Sequence, residues 1–553
     1  MDEAKKLRAI DLYSGVGGWA LGLRLAGIDV VASYERWAPA NVTNFKNNRH
    51  QAQTVDIRLL SLADLPQNID IVVGSPPCTQ FSFSNRGGSG DIDDGLKDIV
   101  MFLTIVDHLK PKLWAMENVP RVAKILEHEL QAGGRLARFQ HLKMVPHVVN
   151  MEDFGLPQRR RRCIAGNFDF NLLRSYATTS PRRTLGNVIN AFAADPVIDP
   201  LYGLQVKQAE LRDHVTEAPL NEEEVRINMA GKVLHPVYNS MAFPDPLDKS
   251  VRTITATCTR VSRESIVIEN PGQPGTYRRL TVRERACLQG FPLTFQFYGT
   301  SYAQKLRMVG NAVPPSFTYY VAQALLRRKA GDVPPLSSHA ESLGAPVPPA
   351  EDVCPDKPGF RYPSDRKFRF AIPSLRLKSG VRFELANSFP KGVPNWAVAF
   401  YFGTSKSIKS LSMDRKLHLS LLGRLPKACL PAIQSELSRI AGFIRNADIA
   451  NLQKVWSHAG LGLTRPFTLL DELDESGRHL IEILKEHEVV AQEVVGNAIL
   501  SEYGEKKAAQ LPGQAKLARN AVLILSGLLI GSLANAELAL RVSTAQPKGK
   551  LAA

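Results

Sequence analysis

Cys78 lies in IVVGSPPCTQFS, Ile71 to Ser82, where an apolar run gives way to Gly74-Ser75-Pro76-Pro77. The two prolines fix the backbone and hold the sulfur in place, as a thiolate nucleophile requires. The plainer reading is a small buried cysteine, the commoner fate of a free thiol, although a Pro-Pro turn at a strand end is an unusual place for one. Glu117 ends another apolar run, LWAMENVP, and Asn118 follows it. A carboxylate there is costly to bury unless a donor meets it. FGLPQRRRRC places Gln158, Arg160 and Arg162 just ahead of a third apolar run. Side chains alternate along an extended segment, so Arg160 and Arg162 share one face. Taken alone, RRRR reads as a solvated basic patch.

A second set of residues has the character of a nucleoside pocket. In DLYSGVGG, Asp11 to Gly18, the glycines Gly15, Gly17 and Gly18 allow a tight turn between a strand and a helix and close approach of a ligand. The full dinucleotide fingerprint is missing, and no basic residue stands where a phosphate would need one. Glu35 ends the next strand, where it can accept both hydroxyls of a ribose, and Asp56 ends a third segment, where it can accept from an adenine amino group. A glycine turn with Glu and Asp but no pyrophosphate site suits S-adenosylmethionine. A glycine turn by itself is as often only a tight connection.

The elements that must position these groups alternate in type. Leu7 to Tyr13, Asp29 to Tyr34, Ile69 to Val73, Lys112 to Met116 and Cys163 to Ala165 read as strands, with helical segments such as Trp19 to Ala26 between them. The predicted fold class is therefore α/β, a doubly wound and mostly parallel sheet. Strands buried on both faces account for runs that are continuously apolar. Phe81 to Gly95 is polar and glycine-rich, the composition of either a mobile loop over a substrate or a plain surface linker. The pattern loosens in the middle of the chain, where Thr253 to Ile268 reads as strands carrying basic side chains. The expected organisation is 1–168 as a catalytic domain, 169–278 as a smaller mixed domain and 279–330 as a return to the catalytic domain. A Pro-rich linker at 331–364 and a C-terminal α+β extension at 365–553 complete it. Long amphipathic helices, for example Glu482 to Ser501, are expected in the extension.

The bulk numbers narrow the class. The chain has 553 residues, 44% hydrophobic and 22% charged, with a formal net charge of +16, a composition of globular type. Such a charge favours a polyanion, and nucleic acid over a membrane surface. Cysteines at 78, 163, 258, 287, 354 and 429 form no CxxC pair and no tight Cys/His cluster, so no metal and no disulfide is expected. The first residues show no charged-then-apolar leader. The longest apolar run, Ala521 to Leu533, is short for a bilayer span and reads as a buried helix. A cytoplasmic protein without a membrane is expected.

Taken in order, DLYSGVGG, Glu35, Asp56, GSPPCTQFS, MENV, QRRRR, RRLTVRERACLQGFP (Arg278 to Pro292) and VGNAVPP (Val309 to Pro315) resemble the DNA (cytosine-5) methyltransferase family over roughly the first 325 residues. The resemblance implies S-adenosyl-L-methionine as cofactor, lined by Tyr13, Gly15, Gly17, Gly18, Glu35, Asp56, Asn311 and Val313. It implies Cys78 as nucleophile, Glu117 on N3 and the exocyclic amine of the target cytosine, and Arg160 and Arg162 at the ring carbonyl. It places Ser82 on a phosphate and makes 169–278 the target-recognition domain, with Thr253-Ile254 resembling a pair that family members keep. Two positions depart from the pattern. Tyr13 stands where Phe is commoner, and Arg36 follows Glu35 where some members carry Trp, with Trp37 one residue later.

The implied reaction explains why such groups are needed. Cytosine C5 is a poor nucleophile, and adding a thiolate to C6 makes it an enamine carbon able to attack a sulfonium methyl. Negative charge develops at N3, where Glu117 helps by hydrogen-bonding or protonating it, and Arg162 near the carbonyl is expected to stabilise the same charge and help lower the thiol pKa. The base must first be flipped out of the duplex, and Arg252, Arg260 and Arg263 are expected to contact phosphates or guanine. The implied partner is double-stranded DNA, bound by a monomer, in a bacterial restriction-modification system with a cognate restriction endonuclease or as a solitary enzyme. The rival readings are an RNA (tRNA) cytosine-5 methyltransferase and a non-enzymatic DNA-binding protein with a decayed site. The tail from 365 carries no recognised motif and reads as either a DNA or partner contact or a stabilising extension.

Overall fold

A computed structural model describes residues 6–81, 90–233, 241–357, 362–377, 381–404, 407–508, 511 and 513–545. The chain divides into two compact units, one made of 1–225 with 243–356 and the other of 226–242 with 357–553.

The first unit is built on a seven-stranded sheet. Its strands are β1 (Arg8–Leu12), β2 (Asp29–Glu35), β3 (Gln51–Thr54), β4 (Ile71–Gly74), β5 (Leu113–Asn118) and β6 (His147–Asn150). After the two-residue β7 (Gln158–Arg159) comes β8 (Arg161–Gly166), and the spatial order is β3-β2-β1-β4-β5-β8-β6. The first five strands in that order are mutually parallel, whereas β8 runs antiparallel to both β5 and β6. The mostly parallel α/β sheet matches the expected fold class. The direction of Cys163–Ala165, expected to continue the parallel pattern, does not. A short connection, with β6 and β8 paired as neighbours, turns the chain back on itself, so no crossover helix is available to restore a parallel direction.

Helices α1 (Gly18–Leu25), α2 (Ala38–Asn48), α3 (Ile92–Leu109) and α4 (Arg121–Glu129) cover the sheet. Alternate strand residues enter different cores. Ala9, Val30, Ile71, Val73, Ala115 and Ile164 join a core with α1 and the later helix Pro315–Leu325. Ile10, Leu12, Val72, Trp114, Met116 and Cys163 join a second core with α3 and α4. Burial on both faces is why these strands read as continuous apolar runs.

Order reverses between β1 and β4, and that gap sits at the carboxyl end of both. Leu12 is in register with Gly74 and Gly74 with Met116, so the turns after β1, β4 and β5 leave the sheet side by side. Because β8 is antiparallel, with Cys163 opposite Asn118, its amino end arrives at this same edge. Ligands of doubly wound folds bind at such a switch point.

The middle of the chain departs from expectation. Between Thr253 and Ile268 the ladders include only Val267–Glu269 at the end, and Val251–Arg252 lies just before the segment. Hydroxyl side chains take over the backbone groups in between: the Thr259 amide donates to Ser262 Oγ, and Ser265 Oγ donates to the Thr259 carbonyl. Such local bonds compete with a ladder. Residues 331–356, read as linker, pack onto the first unit through buried Leu336, Leu343 and Ala350. These three are too widely spaced to give a periodic signal.

The second unit carries a four-stranded antiparallel meander, Arg369–Arg376, Arg382–Ser388, Asn395–Thr404 and Ser407–Leu411 in that order. Its apolar face, with Phe383, Leu385, Val398 and Phe400, shares a core with helices. Central among them is Ala521–Ala545, long and apolar enough by composition to cross a membrane but mostly buried within this core. Gly527 lets Phe383 approach it, since a Cβ there would lie 2.3 Å from the ring. The helix expected over 482–501 is two, Pro466–Leu484 and Glu488–Tyr503, parted at Lys485–His487.

Close packing of α1 on Pro315–Leu325 is set by Gly22, where a Cβ would fall 2.1 Å from Thr318 Oγ1 and 2.6 Å from the Tyr319 amide nitrogen. Gly22→Ala should therefore cost about 1–3 kcal/mol by overpacking, read as a lower urea midpoint for the first unit's unfolding.

Candidate active site

The turn after β1 is shaped by three left-handed residues, Tyr13 (φ 54°), Gly15 (φ 53°) and Gly17 (φ 88°). Gly17 is required by crowding, because a Cβ would lie 2.1 Å from Asn44 Oδ1 of α2. At Gly18 a Cβ would lie 2.0 Å from the Val313 carbonyl oxygen, so the predicted residues Gly18 and Val313 are in direct contact. Gly15 differs: its missing Cβ would point into open space. Glu35 ties this turn to the end of β2. Its Oε2 accepts the Gly15 amide at 3.1 Å and its Oε1 the Trp37 amide at 2.8 Å. Asp56 accepts the Arg58 amide at 3.0 Å. Both carboxylates are half-buried and keep acceptor capacity. Trp37 instead stacks under the Arg307 guanidinium, 4.6 Å away.

Beneath the turn, Asp11 is fully buried and neither oxygen has a hydrogen-bond partner in good geometry. Burial pushes its carboxyl well above the usual carboxylate range, the nearby Ala20 amide opposes this, and the charge of Glu35 adds to it. The Tyr13 hydroxyl donates to the Asp98 carbonyl at 3.1 Å. Arg58 grips the Asp98 carboxylate at 2.7 and 2.9 Å and Asp94 at 2.9 Å. Burial, and then Asp98, push the Tyr13 phenol up, so it stays a protonated donor. An open space over Gly15 flanked by acidic groups and a tyrosine suits a nucleoside bearing positive charge better than one bearing phosphates. The residues thus fit S-adenosylmethionine. Asn311 is exposed at the end of its helix, on the segment that carries Val313.

The turn after β4 is pinned from two sides. Ser75 donates its amide to the Leu12 carbonyl at 3.1 Å, and its hydroxyl accepts the Trp19 indole N–H at 3.0 Å. Asn118 Nδ2 donates to the Pro76 carbonyl at 3.0 Å, while its Oδ1 accepts the Val119 amide. Neither restraint was foreseen. Asn118 could be suspected from its place beside Glu117, but the Trp19 bond has no sequence signal. Cys78 follows and is exposed at the turn. Desolvation there and then the charge of Glu117 push its thiol up, while Arg162 and Arg160 pull it down. The net shift is upward, so the expected lowering by Arg162 is present but outweighed.

Glu117 is 7% exposed and meets Arg162, whose Nε lies 3.0 Å from its Oε1. This is the donor a buried carboxylate needs. Arg160, on the neighbouring turn of chain, is spent differently. It donates to the carbonyls of Ala312 at 3.0 Å and Ile254 at 3.5 Å, and it is buried. Gln158 accepts the Ile254 amide and donates to Gln289, and Gln289 donates to the Ala312 carbonyl at 2.7 Å. Three distant segments therefore close on one another at this buried junction.

The residues expected on nucleic acid fare unevenly. Arg260 is 6% exposed and holds Glu224 at 2.6 and 2.7 Å along with the carbonyls of Ala218 and Pro219. Its donors are used inside the fold, which corrects the expectation of a phosphate or guanine contact. Arg252 is likewise turned inward onto Asp245 and the Ser265 carbonyl. Thr253 donates to the Arg159 carbonyl at 2.9 Å, and Arg263 is half-buried. Ser82 lies outside the described residues. Among the described residues no group of acidic, His and Cys side chains could hold a metal.

Comparison with known proteins identifies a family and several of its relatives. A family model described as C-5 cytosine-specific DNA methylase matches residues 7–327. The type II methyltransferase M1.HphI of Haemophilus parahaemolyticus is 28% identical over 347 residues, covering 58% of this chain and 87% of that protein. M.HgiDI of Herpetosiphon aurantiacus is 27% identical over 332 residues, covering 58% and 94%. A putative DNA modification methyltransferase encoded within an E. coli prophage has a solved structure that covers 58% of this chain and 99% of its own, at 24% identity and a TM-score of 0.44.

A raised thiol pKa has a defined sign: the reactive thiolate is gained only as pH rises. Alkylation of Cys78 in the free protein, followed by peptide mapping, should accelerate about tenfold per pH unit from neutrality and continue beyond the ordinary thiol range. Arg162→Gln should move this profile to higher pH and Glu117→Gln to lower pH.

Proposed function

Since the chain belongs to the C-5 cytosine-specific DNA methylase family, we propose that it methylates C5 of cytosine within a specific duplex DNA sequence through a covalent bond from Cys78 to C6. The observation that most supports this reading is the convergence of Cys78 with the buried Glu117–Arg162 pair at the carboxyl edge of the sheet. The type II methyltransferases similar to this chain favour duplex DNA over RNA as its substrate. The target base has to leave the helix to reach such a cleft.

In this reading the Cys78 thiolate adds to C6 and the ring takes up negative charge toward N3 and the carbonyl. Glu117 accepts from the exocyclic amine and carries a proton, taken up from solvent, to N3 as charge develops there, and Arg162 faces the carbonyl while keeping Glu117 in place. Preorganised donors of this kind, the N3-directed proton and the Arg162 guanidinium, favour the transition state because they need no rearrangement as the ring charge develops. Arg160 acts as a strut through Ala312 and Ile254 rather than as a contact to the ring. Asn118 and Trp19 hold the Pro76-Pro77 turn, and so fix where the sulfur is. S-adenosylmethionine, when bound, supplies an electrophilic methyl group. Glu35 is assigned to its ribose hydroxyls, Asp56 to its adenine amine, and Tyr13, Gly15, Asn311 and Val313 to the walls of its pocket.

Cys78→Ser should abolish methylation detected by bisulfite sequencing of DNA from cells expressing the chain. Duplex DNA carrying 5-fluorocytosine at the target should trap an adduct whose peptide contains Cys78. An adduct elsewhere would refute the nucleophile. Glu117→Gln should lower kcat by about a hundredfold to a thousandfold with DNA affinity largely kept.

A further inference from the structure

The positive charge of this chain is unevenly placed. Residues 357–553 carry 28 Lys and Arg against 16 Asp and Glu, so they hold +12 of the total +16. Residues 357–447 alone hold 17 against 4, whereas 466–503 hold 2 against 9. The motif-bearing region up to 356 is nearly balanced, and two of its arginines expected on DNA are bound within the fold. The basicity that predicted a polyanion partner therefore resides mainly in the second unit.

Within that unit the surplus has a definite location. The strand Ser407–Leu411 is the last of the sheet, and the helix Arg415–Leu422 follows it. Arg415, Lys416, Arg424 and Lys427 are all exposed on this helix and the turn after it. Lys416, Arg424 and Lys427 make no ion pair among the described residues. The one acid nearby in sequence, Asp414, is the helix cap and accepts the Leu417 amide at 2.8 Å. The acids of Pro466–Leu484 are taken elsewhere: Glu472 by Arg439 at 2.8 Å and Asp471 by Arg226. The helix Arg415–Leu422 spans about 12 Å, with Arg415 and Lys416 in its first turn and Arg424 and Lys427 within five residues of its end, so the four cations fall within 13 residues of chain. A solvated face ordinarily mixes both signs of charge. With Asp414 capping the helix, and Glu537, whose charge reaches Arg415, already held by Arg445, the three unpaired cations leave a patch of one sign that attracts a polyanion.

We propose that the patch formed by Arg415, Lys416, Arg424 and Lys427 is an accessory site for the phosphate backbone of duplex DNA. Flexible point charges neutralise phosphates and carry no base readout, so the contact is independent of sequence. It raises affinity for any duplex and leaves the choice of target to the first unit.

The test uses the full chain with Lys416→Gln, Arg424→Gln and Lys427→Gln combined, and a random-sequence DNA duplex as probe, with affinity measured by fluorescence anisotropy across salt concentrations. Each phosphate contact contributes about 0.9 to the log–log salt slope on B-DNA, so the slope should fall by up to about 3 and low-salt affinity by about tenfold or more. A charge-preserving set, Lys416→Arg, Arg424→Lys and Lys427→Arg, should keep both values. The exposed side chains predict an unchanged unfolding midpoint, and each single substitution should give about a third of the slope change. Unchanged slope and affinity would overturn the site, as would equal loss in the charge-preserving set, or a loss seen with an RNA duplex but not with DNA. Because binding is read without methyl transfer, this outcome is separate from the fate of the Cys78 mechanism.

Discussion

A carboxylate placed at the bottom of a cleft must be met by a cation, and here the cation can come only from a strand that runs the wrong way. Glu117 stands at the carboxyl end of β5, and Arg162 lies at the amino end of β8. Only an antiparallel β8 brings those two ends together. Had the strand continued the parallel pattern, Arg160 and Arg162 would have emerged at the opposite edge, far from Cys78. Removing one partner from such a pair leaves an uncompensated buried charge, which costs far more than the pair itself gains. The reversal of one strand is thus a condition for the chemistry, and it also ends the sheet's doubly wound order.

The remaining geometry is held mostly by polar side chains that donate to backbone carbonyls far away in sequence. Asn118 reaches Pro76, Arg160 reaches Ala312, and Gln289 reaches the same Ala312 carbonyl. A carbonyl buried at a turn has no ladder partner, and a side chain that satisfies it fixes the turn's position as well as its energy. The region between 169 and 278 is joined to the motifs by the same means. Its buried charges are paired with the segment that follows: Asp213 with Lys305, and Glu217 with Arg279 at 3.0 Å. Burying such pairs adds little net stability, but mismatched alternatives would strand a charge, so they specify one arrangement.

Much of this was legible beforehand because it depends on local signals. The strand-turn-helix around Gly15, the Pro-Pro turn before Cys78 and the two-sided apolar strands each follow from residue type and spacing. The direction of β8 was not legible, because the short apolar run Cys163 to Ala165 looks the same in either direction and the deciding pairing with β6 is tertiary. Arg252 and Arg260 were misplaced for a related reason. A basic residue in a Thr- and Ser-rich stretch resembles a surface contact unless its acid partner is visible, and Glu224 lies 36 residues away in the chain. Residues 331–356 looked like a linker because their fully buried apolar anchors, Leu336, Leu343 and Ala350, are widely spaced and their other ties, such as Asp356 to Arg279 and the Glu351 carbonyl to Lys305, are contacts with segments distant in sequence.

Charge placement and site placement follow opposite demands. A cleft that stabilises a developing negative charge needs a few cations at fixed positions, and every further cation nearby would have to be desolvated or would repel Arg162. The first unit accordingly neutralises its own arginines with buried acids, as at Arg278–Glu284 and Arg279–Glu217. Affinity for a polyanion has the reverse requirement, since counterion release rewards exposed, unpaired cations and tolerates loose geometry. Putting both on one surface would set screening and steering against preorganisation. Keeping the surplus beyond residue 356 lets the near-neutral first unit hold Glu117 and Arg162 in register, while exposed lysines elsewhere remain free to track phosphates.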